Sequence, residues 1–439
     1  MSTETILTHD ATTPLRHCII GAGAAGLTAA KNFRERSIAF DCLEKNADIG
    51  GLWNAALPGA AVHKTTHMVS SKRMSRFNGF PMPASYPDYP SHVQVLDYLR
   101  SYAEAFDLTR DIQFNSIVER AEPQDGRWRI QVAGEAGPRT YSSVVVANGH
   151  HFKPHRPEFP GQFSGEVMHV RDYEGPEQLN GKRVLIVGGG TSGCDVAVDG
   201  AHRAVRVVHS MRRGYHVIPK FILGRPCDVL LDRLMKWPLP LRLRDALCER
   251  LLTTLNGPPE RYGMQKPDHR LFETHPAISQ LYPYYAGHGK IHVMPNIDRF
   301  EGPTAVFENG HREELDLIVY ATGYEISIPF LDPSLVFDGN GALKLLMNIF
   351  HPELNTLFFV GLMQVNGGSG WPLMDQQAKL IADFIAKPWT NGGREKWLER
   401  LRRHHAARPQ HYVNTPRHKI EVRRYEYRKA LTQLQAAFG

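Results

Sequence analysis

The 439-residue chain has no apolar run approaching the roughly 18 residues a membrane helix needs. Its first residues, MSTETILTHDATTPLRH, carry no apolar stretch of the signal-peptide kind. A cytoplasmic location with no membrane span is therefore expected. Cysteine is sparse: Cys18, Cys42, Cys194, Cys227 and Cys248 stand far apart, with no CxxC pair and no His/Cys cluster at metal spacing. That argues against redox-dithiol chemistry and predicts no metal site. Low-complexity sequence is also missing. The formal net charge of +7 looks like a nucleic-acid signal until it is located. Between Arg394 and Lys429 there are 12 Lys/Arg against 4 Asp/Glu, so the rest of the chain is close to neutral. The segment reads as a solvated basic tail, and no nucleic-acid partner is expected.

What is present is enough apolar sequence, 42% of residues, for two domain cores. HCIIGAGAAG (17 to 26) reads as a buried strand entering a glycine-rich turn. LTAAKNFRERS then has helical composition, and IAFDCLE reads as a second strand. RVLIVGGGTSG (183 to 193), CDVAVDGAHR and VRVVHS repeat that order. Each unit is followed by a hairpin signal, Asp125-Gly126 before WRIQV and Asn309-Gly310 after TAVFE. Each hairpin leads to an apolar strand ending in a small-residue turn, VVVANGH (144 to 150) and LIVYATGY (317 to 324). The proline-rich HFKPHRPEFPG between the units reads as a domain boundary. The expected fold is α/β with two Rossmann-like dinucleotide-binding domains. Residues 1–165 and 325–439 form the first, into which residues 166–324 are inserted as the second.

Gly21, Gly23 and Gly26 match GxGxxG, the pattern that makes a tight turn, lets backbone approach a pyrophosphate and packs helix on strand. Glu44 falls at the end of the following strand, where a carboxylate accepts bonds from ribose hydroxyls. In the second turn Gly188, Gly190 and Gly193 flank Thr191 and Ser192, but the strand after it ends in His209-Ser210-Met211-Arg212-Arg213. An acid there would repel a 2′-phosphate, whereas Ser210, Arg212 and Arg213 can bind one. Opposite chemistry at the two strand ends predicts FAD in the first site and NADPH in the second.

With these turns, four more stretches make the chain resemble the flavin-containing monooxygenases. They are DIGGLWN with Gly50, Gly51, Leu52 and Trp53; SMRRG (210 to 214); FSGEVMHVRDY (163 to 173); and ATGY with Thr322 and Gly323. Phe163, Gly165, His169 and Tyr173 fill every fixed position of the family's FxGxxxHxxx(Y/F) sequence. The resemblance implies that Ala25, Gly51, Leu52, Trp53, Thr322, Gly323 and Gln377 lie at the cofactors, and that His169 is a structural residue at the junction of the two sites. It also implies an NADPH- and O2-dependent enzyme that oxygenates nitrogen or sulfur of an amine or thioether through a flavin 4a-hydroperoxide. No catalytic triad is expected, because the cofactor carries that chemistry.

The chain departs from the family in two places. The family's Asn facing the flavin is absent from Met68-Val69-Ser70-Ser71, where Ser70 or Ser71 could supply a hydroxyl. Gly361 is followed by Leu362 rather than the Asp of related disulfide reductases. Baeyer-Villiger oxidation of ketones is the close alternative, although His-x-x-x-Tyr argues for heteroatom chemistry. A flavin reductase or oxidase without oxygen transfer is the alternative from another class. A homodimer is the assembly considered, and Phe221 to Ile291 is read either as part of a substrate entrance or as apolar packing between the domains.

Overall fold

The computed structural model describes residues 16–390, 392–408, 412 and 419–438. Two five-stranded parallel sheets organise it. The first runs in the order Leu357–Phe359, Val144–Val146, His17–Ile20, Phe40–Leu43 and Ile112–Gln113. These strands are apolar on both sides because both sheet faces are covered, as parallel sheets require. Ile19, Val145 and Phe358 pack with Ala29 and Phe33 of the helix Ala24–Arg34 and Leu380 of the helix Trp371–Ala386. The alternate residues Ile20, Val144 and Phe359 pack with Trp128 and Ile130 of an antiparallel three-stranded sheet. The Asp125-Gly126 turn of that sheet has φ of 52° and 72°, the double positive φ that matches strand twist.

The second sheet repeats the plan with Glu166–His169, Leu317–Tyr320, Arg183–Val187, Arg206–Ser210 and His292–Met294. Val184, Ile186 and Val319 face the helix Thr191–Arg203, and Leu185, Val187 and Ile318 face an antiparallel sheet through Phe300 and Phe307. The protein is therefore α/β with two Rossmann-type units. Strands from both sides of the second unit lie in the first sheet. Gly161–Phe163 pairs in parallel with Ile297–Gly302 beside the second sheet.

The segment after Arg203 adds helices Cys227–Met235 and Leu241–Asn256, which enclose a small core of their own around Leu231, Cys248 and Phe272. The C-terminal region corrects the expectation of a solvated basic tail. Trp397, Leu398 and Leu401 of helix Gly393–Ala406, and Tyr427, Leu431 and Leu434 of helix Arg424–Ala436, belong to the first core. Arg423 and Arg424 are buried against Asp245 and Asp232, at 2.7 and 2.6 Å. The helical spacing of those apolar side chains was hidden among the charges. Arg417, part of the same basic run, lies outside the described residues.

Candidate active site

A cavity of about 580 Å³ opens at the carboxyl ends of both sheets, where the glycine turns lie. In the first turn Gly21 has φ +105°, and a Cβ there would meet Ala147 O at 2.7 Å. A Cβ on Gly26 would sit 1.7 Å from Gly21 O. Gly23 precedes the helix Ala24–Arg34 with no side-chain cap, so the first-turn N–H groups and the positive end of the helix face an incoming anion. A Cβ on Gly23 would reach Gly51 Cα at 3.7 Å, so two backbones form the opposed walls of the cradle. Glu44 is buried at the cavity edge; its Oε2 accepts from Ala22 N at 2.7 Å and its Oε1 from Asn46 N at 2.9 Å. The strand end thereby holds the carboxylate under the turn, with lone pairs left for ribose hydroxyls. Ala25, Gly51, Leu52 and Trp53 also line the cavity, and the Trp53 ring meets Trp371 edge-on at 6.1 Å. Backbone donors, a space closed to any side chain and a buried acceptor together fit FAD.

The second turn has the same backbone. Gly188 has φ +115°, and a Cβ on Gly193 would sit 2.0 Å from Gly188 O. Gly190 caps the helix Thr191–Arg203 without a side chain. Thr191 and Ser192 line the cavity, whereas Gly26, Gly188, Gly190 and Gly193 shape the turns from behind. Thr191 Oγ1 accepts from Ile278 N at 3.0 Å, which ties the turn to the inserted segment. His209, which the sequence did not single out, is buried, bonded to Gly188 O at 3.0 Å and to Tyr282 Oη at 2.9 Å. Burial pushes its pKa down to about 4.

The three residues expected to hold a 2′-phosphate differ in availability. Ser210 is buried and its hydroxyl already donates to Pro295 O at 2.8 Å, which corrects its expected role as a phosphate donor. Arg213 is paired with Asp268 at 2.6 Å. Arg212 is exposed. One turn into the same helix, Asp195 lines the cavity; burial pushes its pKa up to about 7, against the opposing effect of Lys220.

The FSGEVMHVRDY stretch joins the two units. Phe163 packs on Phe300 at 5.6 Å, and a Cβ on Gly165 would meet Asp316 O at 2.7 Å. His169 is fully buried, with Nε2 bonded to Gly323 O at 3.1 Å and Nδ1 accepting from Arg171 N at 3.1 Å. Tyr173 donates to Asp199 Oδ2 on the helix Thr191–Arg203 at 2.9 Å, and its ring meets His63 of the cavity wall at 5.1 Å. Thr322 donates to His155 O; it and Gly323 do not line the cavity, but the next residue, Tyr324, does.

Ser70 lines the cavity, while Ser71 lies behind it with its N–H donated to Asp228 Oδ2 at 2.7 Å. Gln377 corrects another expectation, since it does not reach the cavity. Its Oε1 accepts from Gly361 N at 2.9 Å and its Nε2 donates to Tyr427 Oη at 2.8 Å, so it supports the Gly361 turn from the core. His150 lines the cavity too and is pushed down to about 4 by burial, a residue no motif marked.

Two Rossmann-type folds whose phosphate turns open into one cavity define a two-nucleotide flavoprotein oxidoreductase. The sequence matches the family described as flavin-binding monooxygenase-like over residues 15–438, and the chain belongs to that family. It is 32% identical over 429 residues to flavin-containing monooxygenase 5 of Mus musculus, covering 92% of this chain and 80% of the mouse protein. Identity to flavin-containing monooxygenase 3 of Homo sapiens is 32% over 390 residues, 84% of this chain and 73% of that protein. Among solved structures, an oxidized steroid monooxygenase bound to NADP superposes with a TM-score of 0.71 at 18% identity, covering 96% of this chain and 98% of that one. S-allyl-L-cysteine S-oxygenase from Allium sativum gives 0.68 at 22% identity, with coverages of 97% and 88%. The protein is an FAD- and NADPH-dependent monooxygenase acting on a small molecule with O2.

Proposed function

We propose that the enzyme oxygenates a nitrogen or sulfur atom of a small amine or thioether. The observation that carries the reading is the single cavity lined at once by Gly21 and Gly23 of one turn and Thr191 and Ser192 of the other. FAD in the first turn would supply the redox and oxygen-transfer chemistry, with NADPH from the second as reductant. The protein's part is binding and exclusion of water. The first turn and Glu44 would hold the dinucleotide, Arg212 would select the phosphorylated nicotinamide nucleotide, and Leu52, Trp53, Trp371 and Met374 would keep the reacting end apolar. In this reading residues 1–165 and 325–439 form the FAD domain and 166–324 the NADPH domain.

Oxygen-dependent NADPH consumption over a panel of amines, thioethers and ketones, with products identified by mass, tests it. An N-oxide, hydroxylamine or sulfoxide is the expected product. An ester or lactone from a ketone would replace it with the Baeyer-Villiger reading, which Ser70 on the cavity wall, in place of the family Asn, keeps in play. NADPH consumption without any oxygenated product would leave an oxidase. A cytoplasmic location belongs to the same reading; no helix among the described residues is long and apolar enough to cross a membrane. So does a homodimer, supported by Leu243, Leu247, Leu251 and Leu255, which form an exposed stripe along helix Leu241–Asn256. Light scattering on the purified protein tests the dimer.

A further inference from the structure

Two residues of the cavity wall each carry one buried acceptor oxygen without a hydrogen-bond partner. Asp228, at the start of helix Cys227–Met235, lines the cavity. Its Oδ2 takes the Ser71 N–H, while Oδ1 is buried with no partner. Burial raises the Asp228 pKa, and Arg424 opposes this electrostatically, although its own ion pair is with Asp232 and that of Arg423 is with Asp245. Asn366, 3% exposed, lines the same cavity. Its Nδ2 donates to Phe272 O at 3.1 Å and Thr274 O at 2.9 Å. Two carbonyl acceptors fix the amide orientation, which leaves Asn366 Oδ1 as a second buried acceptor without a donor. A carboxylate oxygen and an amide oxygen, each buried and unmatched on the wall of one cavity, are costly unless a ligand supplies N–H groups and positive charge. Leu231, Phe272 and Ile218 line the cavity as well, giving apolar surface for a short hydrocarbon chain.

We propose that Asp228 and Asn366 form an accepting subsite that anchors the substrate through a primary or secondary ammonium group, distinct from the atom that is oxygenated. An ammonium has no lone pair to offer an electrophilic oxygen, so the group held here is a handle. The reacting sulfur or second nitrogen lies further along the molecule. This assignment rests on the monooxygenase reading and narrows its substrate class to amine-bearing thioethers and diamines. A tertiary or quaternary amine fills the subsite poorly, because it offers the two acceptors one N–H or none.

The experiment compares 2-(ethylthio)ethylamine with ethyl propyl sulfide on the FAD-loaded enzyme and its Asp228→Asn variant. The unaltered enzyme should favour the aminothioether by roughly tenfold or more in kcat/KM, the value of a charge-assisted hydrogen bond lost. In Asp228→Asn that preference should fall to less than about threefold, while kcat/KM for the plain sulfide and the bound FAD stay unchanged within about twofold. Loss of both activities in proportion, or a preference that survives the substitution, overturns the subsite. A second measurement needs no variant. Tryptophan fluorescence, reported by Trp53 and Trp371 at the cavity, should show hexylammonium binding to the holoenzyme at least about tenfold more tightly than hexyltrimethylammonium, which has the charge but no N–H. Equal affinities overturn the proposal. Failure to oxygenate either thioether would instead count against sulfur oxygenation, and the fluorescence titration would still decide the subsite.

Discussion

The turn at Gly21 and the turn at Gly188 hold the same backbone, with φ of +105° and +115°, and each forbids a Cβ at its third glycine. They diverge one strand later. The first unit ends its second strand on Glu44, sealed beneath the turn by the N–H groups of Ala22 and Asn46. The second ends on Ser210 to Arg213, where the hydroxyl is turned into the protein, one arginine is paired and the other stands in solvent. The fold thus supplies the same glycine turn twice, and the strand ends beside the two turns differ in their side chains. An enclosed acceptor suits a nucleotide that stays, and an exposed cation suits one that must exchange at each turnover.

The shared half of that comparison breaks most severely at the third glycine. Gly26→Ala places a methyl group 1.7 Å from Gly21 O, where both atoms are backbone-anchored and neither can give. We expect a loss of more than about 4 kcal/mol of stability, or protein that cannot retain FAD, read as soluble yield and the ratio of flavin to protein absorbance. Gly193→Ala, at 2.0 Å from Gly188 O, should be nearly as severe. A yellow, stable Gly26→Ala protein would mean that the turn is not a cradle.

The divergent half is tested at Arg212. Arg212→Ala should raise the KM for NADPH by roughly ten- to a hundredfold, equivalent to about 1.5–3 kcal/mol for bonds to a charged group, and leave NADH nearly unchanged. Arg213→Ala should cost less, about threefold, because Asp268 already engages that guanidinium. Equal losses with NADPH and NADH would place the arginines outside the phosphate site.

Asp195 adds a pH term to the second helix. Its folded pKa of about 7 lies above the ordinary carboxylate value, so between about pH 4 and 7 the folded state holds a proton that the unfolded state has released. Stability should therefore fall as pH rises through this window, by at most about 4 kcal/mol. Thermal melts of the FAD-loaded protein without nicotinamide nucleotide, at pH 5 and 8, should show the fall in the unaltered protein. Asp195→Asn should lose most of it.

Much of the scaffold was legible because its constraints are local. Gly21, Gly26, Gly188 and Gly193 announce turns that no other residue can make, and strands such as VLIV and VVV are apolar on both faces because both faces are covered. Less of the site could be read. Ser210 has the right chemistry for a phosphate, but Pro295, 85 residues away, takes its hydroxyl. Gln377 has a family position, yet its amide is aimed at Gly361 and Tyr427. His209 and His150 fall within the stretches VRVVHS and VVVANGH without an assigned role and Asp228 carries no motif, because their surroundings arise from what distant segments bring against them. The basic C-terminal stretch conceals its packing for a related reason. A charge count does not show that Trp397, Leu401, Leu431 and Leu434 recur at helical spacing among the arginines.

Tyr173→Phe should have the smallest effect and sharpens the comparison most, because Tyr173 is where the two units meet. The substitution removes one hydroxyl and keeps the ring, so the edge contact with His63 at 5.1 Å should persist. Asp199 keeps the Thr65 hydroxyl at 2.9 Å and is not left without a donor. The loss should be that of one ordinary hydrogen bond, about 1 kcal/mol in chemical denaturation, with FAD content unchanged. Because Asp199 sits on the helix that begins at Thr191 and Ser192, the change should appear as a modest rise in KM for NADPH and not in flavin retention. Tyr173→Ala also removes the ring from a fully packed position and should cost about 3 kcal/mol or more. If Tyr173→Phe released FAD while leaving NADPH affinity intact, the tyrosine would belong to the first unit, and its bond to the second helix would be incidental.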